Sequence, residues 1–80
     1  MLPLSQFKRF DVRSLIRKGI EPCSEIRKRV DVLKSDQGII VVAPFLPSPL
    51  IEKLSGEGFE SKIERGKGSD WIVYLWRESV

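Results

Sequence analysis

Eighty residues make one domain with no room for a second core. Hydrophobic residues at 41% and charged residues at 31% suit an ordinary globule, not a disordered, fibrous or membrane-embedded chain. The net charge of +3 is unevenly spread, with nine Lys/Arg against four acids in residues 1–34 (+5) and five against seven in residues 35–80 (−2).

This asymmetry points to a solvated basic face or to an anionic partner such as nucleic acid, a phosphate ligand or an acidic protein. There is no histidine and only one cysteine. These counts exclude a histidine-based triad, a histidine-ligated metal, a thiolate cluster and an internal disulfide. No metal and no cofactor is called for. The N-terminus lacks the apolar core of a signal peptide, and no stretch approaches the roughly 18 apolar residues of a membrane span. With a lone cysteine, the expectation is a cytoplasmic protein with no membrane partner. So small a domain buries roughly 60% of its unfolded-chain surface, which leaves monomer and homodimer both open.

In chain order, residues 1–6 read as a flexible arm. Phe7–Val12 alternates enough for a short strand, with Phe10 and Val12 on one face. Ser14–Ile20, containing Arg17-Lys18-Gly19, reads as a loop. Glu21-Pro22 then opens a helix with proline at its first position. Cys23, Ile26, Val30 and Leu33 form one apolar stripe along it, opposite Arg27, Lys28, Asp31 and Lys34. Lys34–Gly38 is its polar stop.

Ile39-Ile40-Val41-Val42 is a run of β-branched residues that reads as a strand buried on both faces. Ala43–Leu46 is a loop whose proline breaks the ladder, and Ser48 is expected to cap a second helix running from about Pro49 to Gly56. Phe59–Arg65 alternates as a strand exposed on one face. Gly66–Asp70 is a hairpin loop, too short for a phosphate-binding P-loop and better read as turn chemistry. Trp71–Trp76 is the last strand, with faces Trp71/Val73/Leu75 and Ile72/Tyr74/Trp76. Helices cover only one face of so small a sheet, so one of the two aromatic sets is either a far-side cluster or an interface.

The order strand, helix, strand, helix, strand, strand predicts an α/β (α+β) two-layer sandwich. A right-handed parallel step and a closing antiparallel hairpin give a mixed four-stranded sheet with two helices on one face.

Phe10-Asp11-Val12-Arg13-Ser14-Leu15, followed by Glu21-Pro22 opening a helix, resembles the start of the TusA/SirA-like sulfur-carrier family. That family begins with Asp-Leu-Arg-Gly-Leu and then Cys-Pro-x-Pro. Val41–Leu50, with Gly58-Phe59 and Trp71, resembles more closely an uncharacterised domain-of-unknown-function family related to it, marked by Pro-x-Pro-Leu and then Gly-Phe. The resemblance spans about residues 8–77 and implies a TusA-like fold. It also places Gly19 where the sulfur-carrying cysteine belongs and Ile20 at the first proline, so the carrier motif is absent.

Three functional readings follow. The first is a non-enzymatic binding or accessory domain for a partner protein or small anionic ligand. Its candidate surface comprises Arg13, Arg17, Lys18, Gly19, Glu21, Pro22, Cys23, Phe45, Pro47 and Ser48, with helix-start N–H groups holding an anion. The second is a sulfur relay through Cys23, whose place in the first helical turn would lower its pKa, although its stripe equally suits packing against the sheet. The third is RNA or DNA binding through Arg27, Lys28 and Arg29, in a layout similar to the C-terminal domain of a bacterial translation initiation factor. Asp11, Glu21 and Glu25 are expected as ion-pair or capping groups, not as a catalytic carboxylate pair.

Overall fold

The computed structural model describes residues 2–77, so Met1 of the expected arm lies outside the described residues. One 3-10 turn over Leu4–Gln6 leads into β1 (Phe7–Asp11), α1 (Arg13–Arg17), α2 (Pro22–Asp31) and β2 (Gly38–Ala43). Then come α3 (Ser48–Ser55), β3 (Phe59–Arg65) and β4 (Trp71–Arg77). The sheet order is β1-β2-β4-β3. β1 and β2 are parallel, and β4 runs antiparallel to both of its neighbours. A two-layer α/β sandwich with a mixed four-stranded sheet is therefore the observed fold.

The helical stripe read from the sequence sets the packing. Ile26 and Val30 of α2 and Leu54 of α3 are fully buried against Ile39, Val41, Val73 and Leu75 of the sheet. Cys23 and Leu33, at the ends of the stripe, are half-buried against the same core. Both helices thus cover one face. On the opposite face Val42 is buried and Ile40 half-buried, so β2 is shielded on both sides.

The uncovered face closes on itself. The Phe7 ring stands edge-on to Tyr74 and Trp76, with centroids 5.6 and 6.0 Å away. Gly38 makes this possible, because a Cβ there would overlap the Phe7 ring and lie 3.0 Å from the Leu75 carbonyl. The Tyr74 hydroxyl donates to Glu64, 3.0 Å away. These residues form the far-side cluster that was one of the two expected outcomes.

Three local expectations are corrected. Ser14–Ile20 is not a loop throughout, because Arg13–Arg17 forms α1, with Leu15 and Ile16 packed against the core. Five residues show too little periodicity for pattern reading, and tertiary contact decides their conformation. Ser48 is the first residue of α3, not its cap; Pro47 takes the cap position and no side chain caps that end. On β3 only Phe59 is buried, and Ile63 on the same face is 44% exposed, because β3 is the outermost strand.

Candidate functional site

Parallel pairing of β1 and β2 brings their carboxyl ends together, and the antiparallel β4 begins at the same end. The connections that follow β1 and β2 and the β3–β4 hairpin loop therefore share one edge of the sandwich. Most of the sequence-derived site residues lie there.

Arg13 is the post of this end. Its Nε lies 2.9 and 3.1 Å from the two Asp11 carboxylate oxygens and its Nη2 2.6 Å from Asp11 Oδ2. Its Nη1 donates to Asp70 Oδ2 at 2.7 Å, and its backbone N–H donates to Asp11 Oδ1 at 3.0 Å. The Arg13 hydrogen bonds hold the Asp11 carboxyl down at about 2, and Asp11 in turn raises the guanidinium pKa. Fixed by two carboxylates, Arg13 ties the end of β1 to the hairpin loop. Asp11 is thus an ion-pair group, as expected.

The α1–α2 connection is shaped by capping. The Gly19 N–H donates to Ile16 O and the Ile20 N–H to Leu15 O, and Gly19 has φ +76°. This is a Schellman motif with glycine in the left-handed position after the helix. Arg17 and Lys18, in the last turn and at the cap, are exposed. Pro22 occupies the first position of α2, and the Glu21 side chain accepts from Cys23 N at 3.0 Å and Ser24 N at 2.7 Å. The Ser24 and Cys23 N–H groups lower the Glu21 pKa. The expected anion position at this helix start is therefore taken by the chain's own carboxylate. Burial, and then the Glu21 charge, push the Cys23 thiol up, against the lowering expected at a helix start.

Pro44–Pro47 follows β2 at the same end. Phe45 is 36% exposed, Pro47 is buried, and the Ser48 N–H donates to Leu46 O at 2.8 Å. Among the described residues no hydrogen bond or ion pair joins the starts of α2 and α3, so the ten candidates share an end without forming one cluster. The nucleic-acid candidates are similarly dispersed. Arg27 pairs with Asp31 at 3.1 Å and Glu57 at 2.7 Å, Lys28 lies 3.6 Å from Glu25, and Arg29 stacks on Phe10.

Beside Arg13, on the helix-free face, lies a recess of about 350 Å³. Val42 and Ile72 form its floor, and Arg9, Arg13, Lys67 and Asp70 its walls. Arg9 and Lys67 are exposed and form no ion pair with any described carboxylate. Sequence reasoning missed Arg9, Lys67 and Asp70. Lys67 lay within a stretch that read only as turn chemistry, and 57 residues separate Asp70 from Arg13.

Fold and site together define a small two-layer α/β domain with a cation-rich, apolar-floored recess at the carboxyl ends of its parallel strands. Residues 9–77 match the family described as Uncharacterized conserved protein (DUF2249), and the chain belongs to that family. No curated protein and no solved structure matches it. Among the described residues no helix is long and apolar enough to cross a membrane, and no group of acidic or cysteine side chains is placed to hold a metal ion.

Proposed function

We propose that this protein is a small non-enzymatic binding domain for an anionic small molecule, with the recess at the carboxyl ends of β1 and β2 as its site. The supporting observation is the combination of two cations outside any ion pair among the described residues, Arg9 and Lys67, with the apolar floor of Val42 and Ile72. The floor would take an apolar or planar body, and the cations its charge. Arg13, already satisfied by Asp11 and Asp70, sets the wall between them and is a positioning residue.

This reading moves the site away from Cys23. A TusA-like relation is part of it, supported by the order of strands and helices, with the carrier position replaced by the Gly19 cap. A cytoplasmic location is part of it too, supported by the lone cysteine. The sulfur-relay reading has less support because the thiol is half-buried and its pKa is raised. The nucleic-acid reading has less support because Arg27 and Lys28 are internally paired.

The test is a titration of the full chain with pyrophosphate and with isophthalate, followed by amide NMR. The amides of Lys67 and Ile72 are expected to shift, and the R9A/K67A variant to lose that response while keeping its Tm. Unchanged binding in R9A/K67A, or no response at Lys67 and Ile72, sinks the proposal.

A further inference from the structure

β1 is an outer strand of the sheet. The Val12 N–H donates to Val42 O at 3.0 Å, so alternation along the strand directs the backbone N–H and C=O groups of Lys8 and Phe10 to β2. Those of Phe7, Arg9 and Asp11 face the open edge. On the helix-covered side of this edge, a groove of about 130 Å³ runs between β1 and the C-terminal half of α2. Phe10, Leu33 and Ile39 form its apolar lining. Lys8 and Arg29 supply its charge, and the Arg29 guanidinium sits 4.1 Å from the Phe10 ring centroid. No carboxylate lines the groove, and neither cation forms an ion pair with a described carboxylate. Val32, also on its lining, is 77% exposed.

We propose that the β1 edge and this groove receive an extended acidic segment of a partner protein, added to the sheet as a fifth strand. Open backbone groups provide the pairing, and alternate side chains of the incoming strand reach the groove. Its carboxylates lie beside Lys8 and Arg29, and an apolar side chain covers Phe10 and Leu33. Charge selects this occupant over a second copy of the chain. Antiparallel self-pairing about a two-fold axis brings the Lys8 and Arg29 of both copies to one face, with no carboxylate among the groove residues to meet them, and like charges brought together across a strand pair destabilise it. Joining β1 of one copy to β3 of another is a head-to-tail contact that does not close into a dimer. Arg9 lines both the groove and the anion recess, while its side chain belongs with its partner Ile40 to the opposite face; the two sites meet at Arg9 and differ in every other lining residue.

The probe is acetyl-EVELEVE-amide, compared with its lysine twin acetyl-KVKLKVK-amide and with an acidic twin N-methylated at every peptide nitrogen, so that neither edge can donate. Amide NMR of the full chain should show saturable binding of the acidic peptide below about 1 mM, with shifts at Arg9, Asp11, Arg29 and Val32. The N-methylated twin should not bind, because it keeps the charge but not the hydrogen bonds. K8E/R29E should weaken the acidic peptide by at least about tenfold, since loss of two charge pairs removes at least about 1.4 kcal/mol, and should bind the lysine twin instead. Binding of the lysine twin also shows that the variant is folded. No saturable binding, equal binding of the N-methylated twin, or shifts confined to Lys67 and Ile72 would each overturn the proposal. Lys8 and Arg29 would then be only the charges that keep an edge strand from aggregating.

Discussion

Substituting Gly19 by alanine changes one backbone dihedral and almost nothing else. Gly19 has φ +76°, and a Cβ built on it meets no atom within 4 Å. The effect therefore contains no overlap term, only the left-handed backbone of a residue with a side chain. That conformation costs roughly 1–2 kcal/mol for an L-residue. Alanine also restricts the unfolded chain more than glycine does, which offsets about 0.5 kcal/mol. The net expectation is a loss of about 1 kcal/mol, or about 4–8 °C in Tm for a domain of this size. Urea denaturation followed by tryptophan fluorescence, with circular dichroism melts alongside, measures both. Gly19→Asn is the control, because asparagine tolerates the left-handed region, and it should recover half the loss or more. A Gly19→Ala variant as stable as the parent, or an asparagine variant no better than alanine, refutes the capping argument. The point bears on function. By resemblance, Gly19 stands where a sulfur carrier would place its thiol, and Gly19→Cys should show the same strain as alanine.

Gly38→Ala should destabilise by about 1–2 kcal/mol through overlap with the Phe7 ring and the Leu75 carbonyl, and most of that loss should vanish in a Phe7→Ala background; equal losses in both backgrounds would remove Phe7 from the explanation. Asp11, held at about 2 by Arg13, has a folded pKa below its unfolded value, so its stabilisation is full above about pH 4 and lost as pH falls through about 2. With Asp11 and Arg13 side chains 36% and 41% exposed, solvent screening reduces the contribution to about 1 kcal/mol. Asp11→Asn should flatten the acid limb of the stability curve over that window, and an unchanged limb counts against the pair. Cys23 should be alkylated by iodoacetamide more slowly in the native protein than in urea, since burial and Glu21 raise its pKa, and Glu21→Gln should speed the native reaction. A native rate equal to the unfolded one would reopen the reactive-thiol reading.

Periodicity alone determined the layers of this protein. The Ile26–Val30 stripe, the β-branched Ile39–Val42 run and the alternating Trp71–Trp76 strand each needs a particular neighbour to bury its apolar side, and one arrangement satisfies all three. Short-range chemistry was legible too. Pro22 after Glu21 marked a helix start, and Asp11 and Glu21 behaved as pairing and capping groups, because their partners lie within three residues. The recess was not legible. Its walls come from β1, the start of α1 and the β3–β4 hairpin, and only the strand order β1-β2-β4-β3 carries Lys67 and Asp70 to the side of Arg13. Nor could the sequence show which cations stand outside ion pairs, since that depends on distances across the fold. Arg27 is neutralised by Glu57 thirty residues away, while Arg9 and Lys67 have no such partner among the described residues. Local pattern chose the elements; long-range proximity chose which of their charges are available to bind.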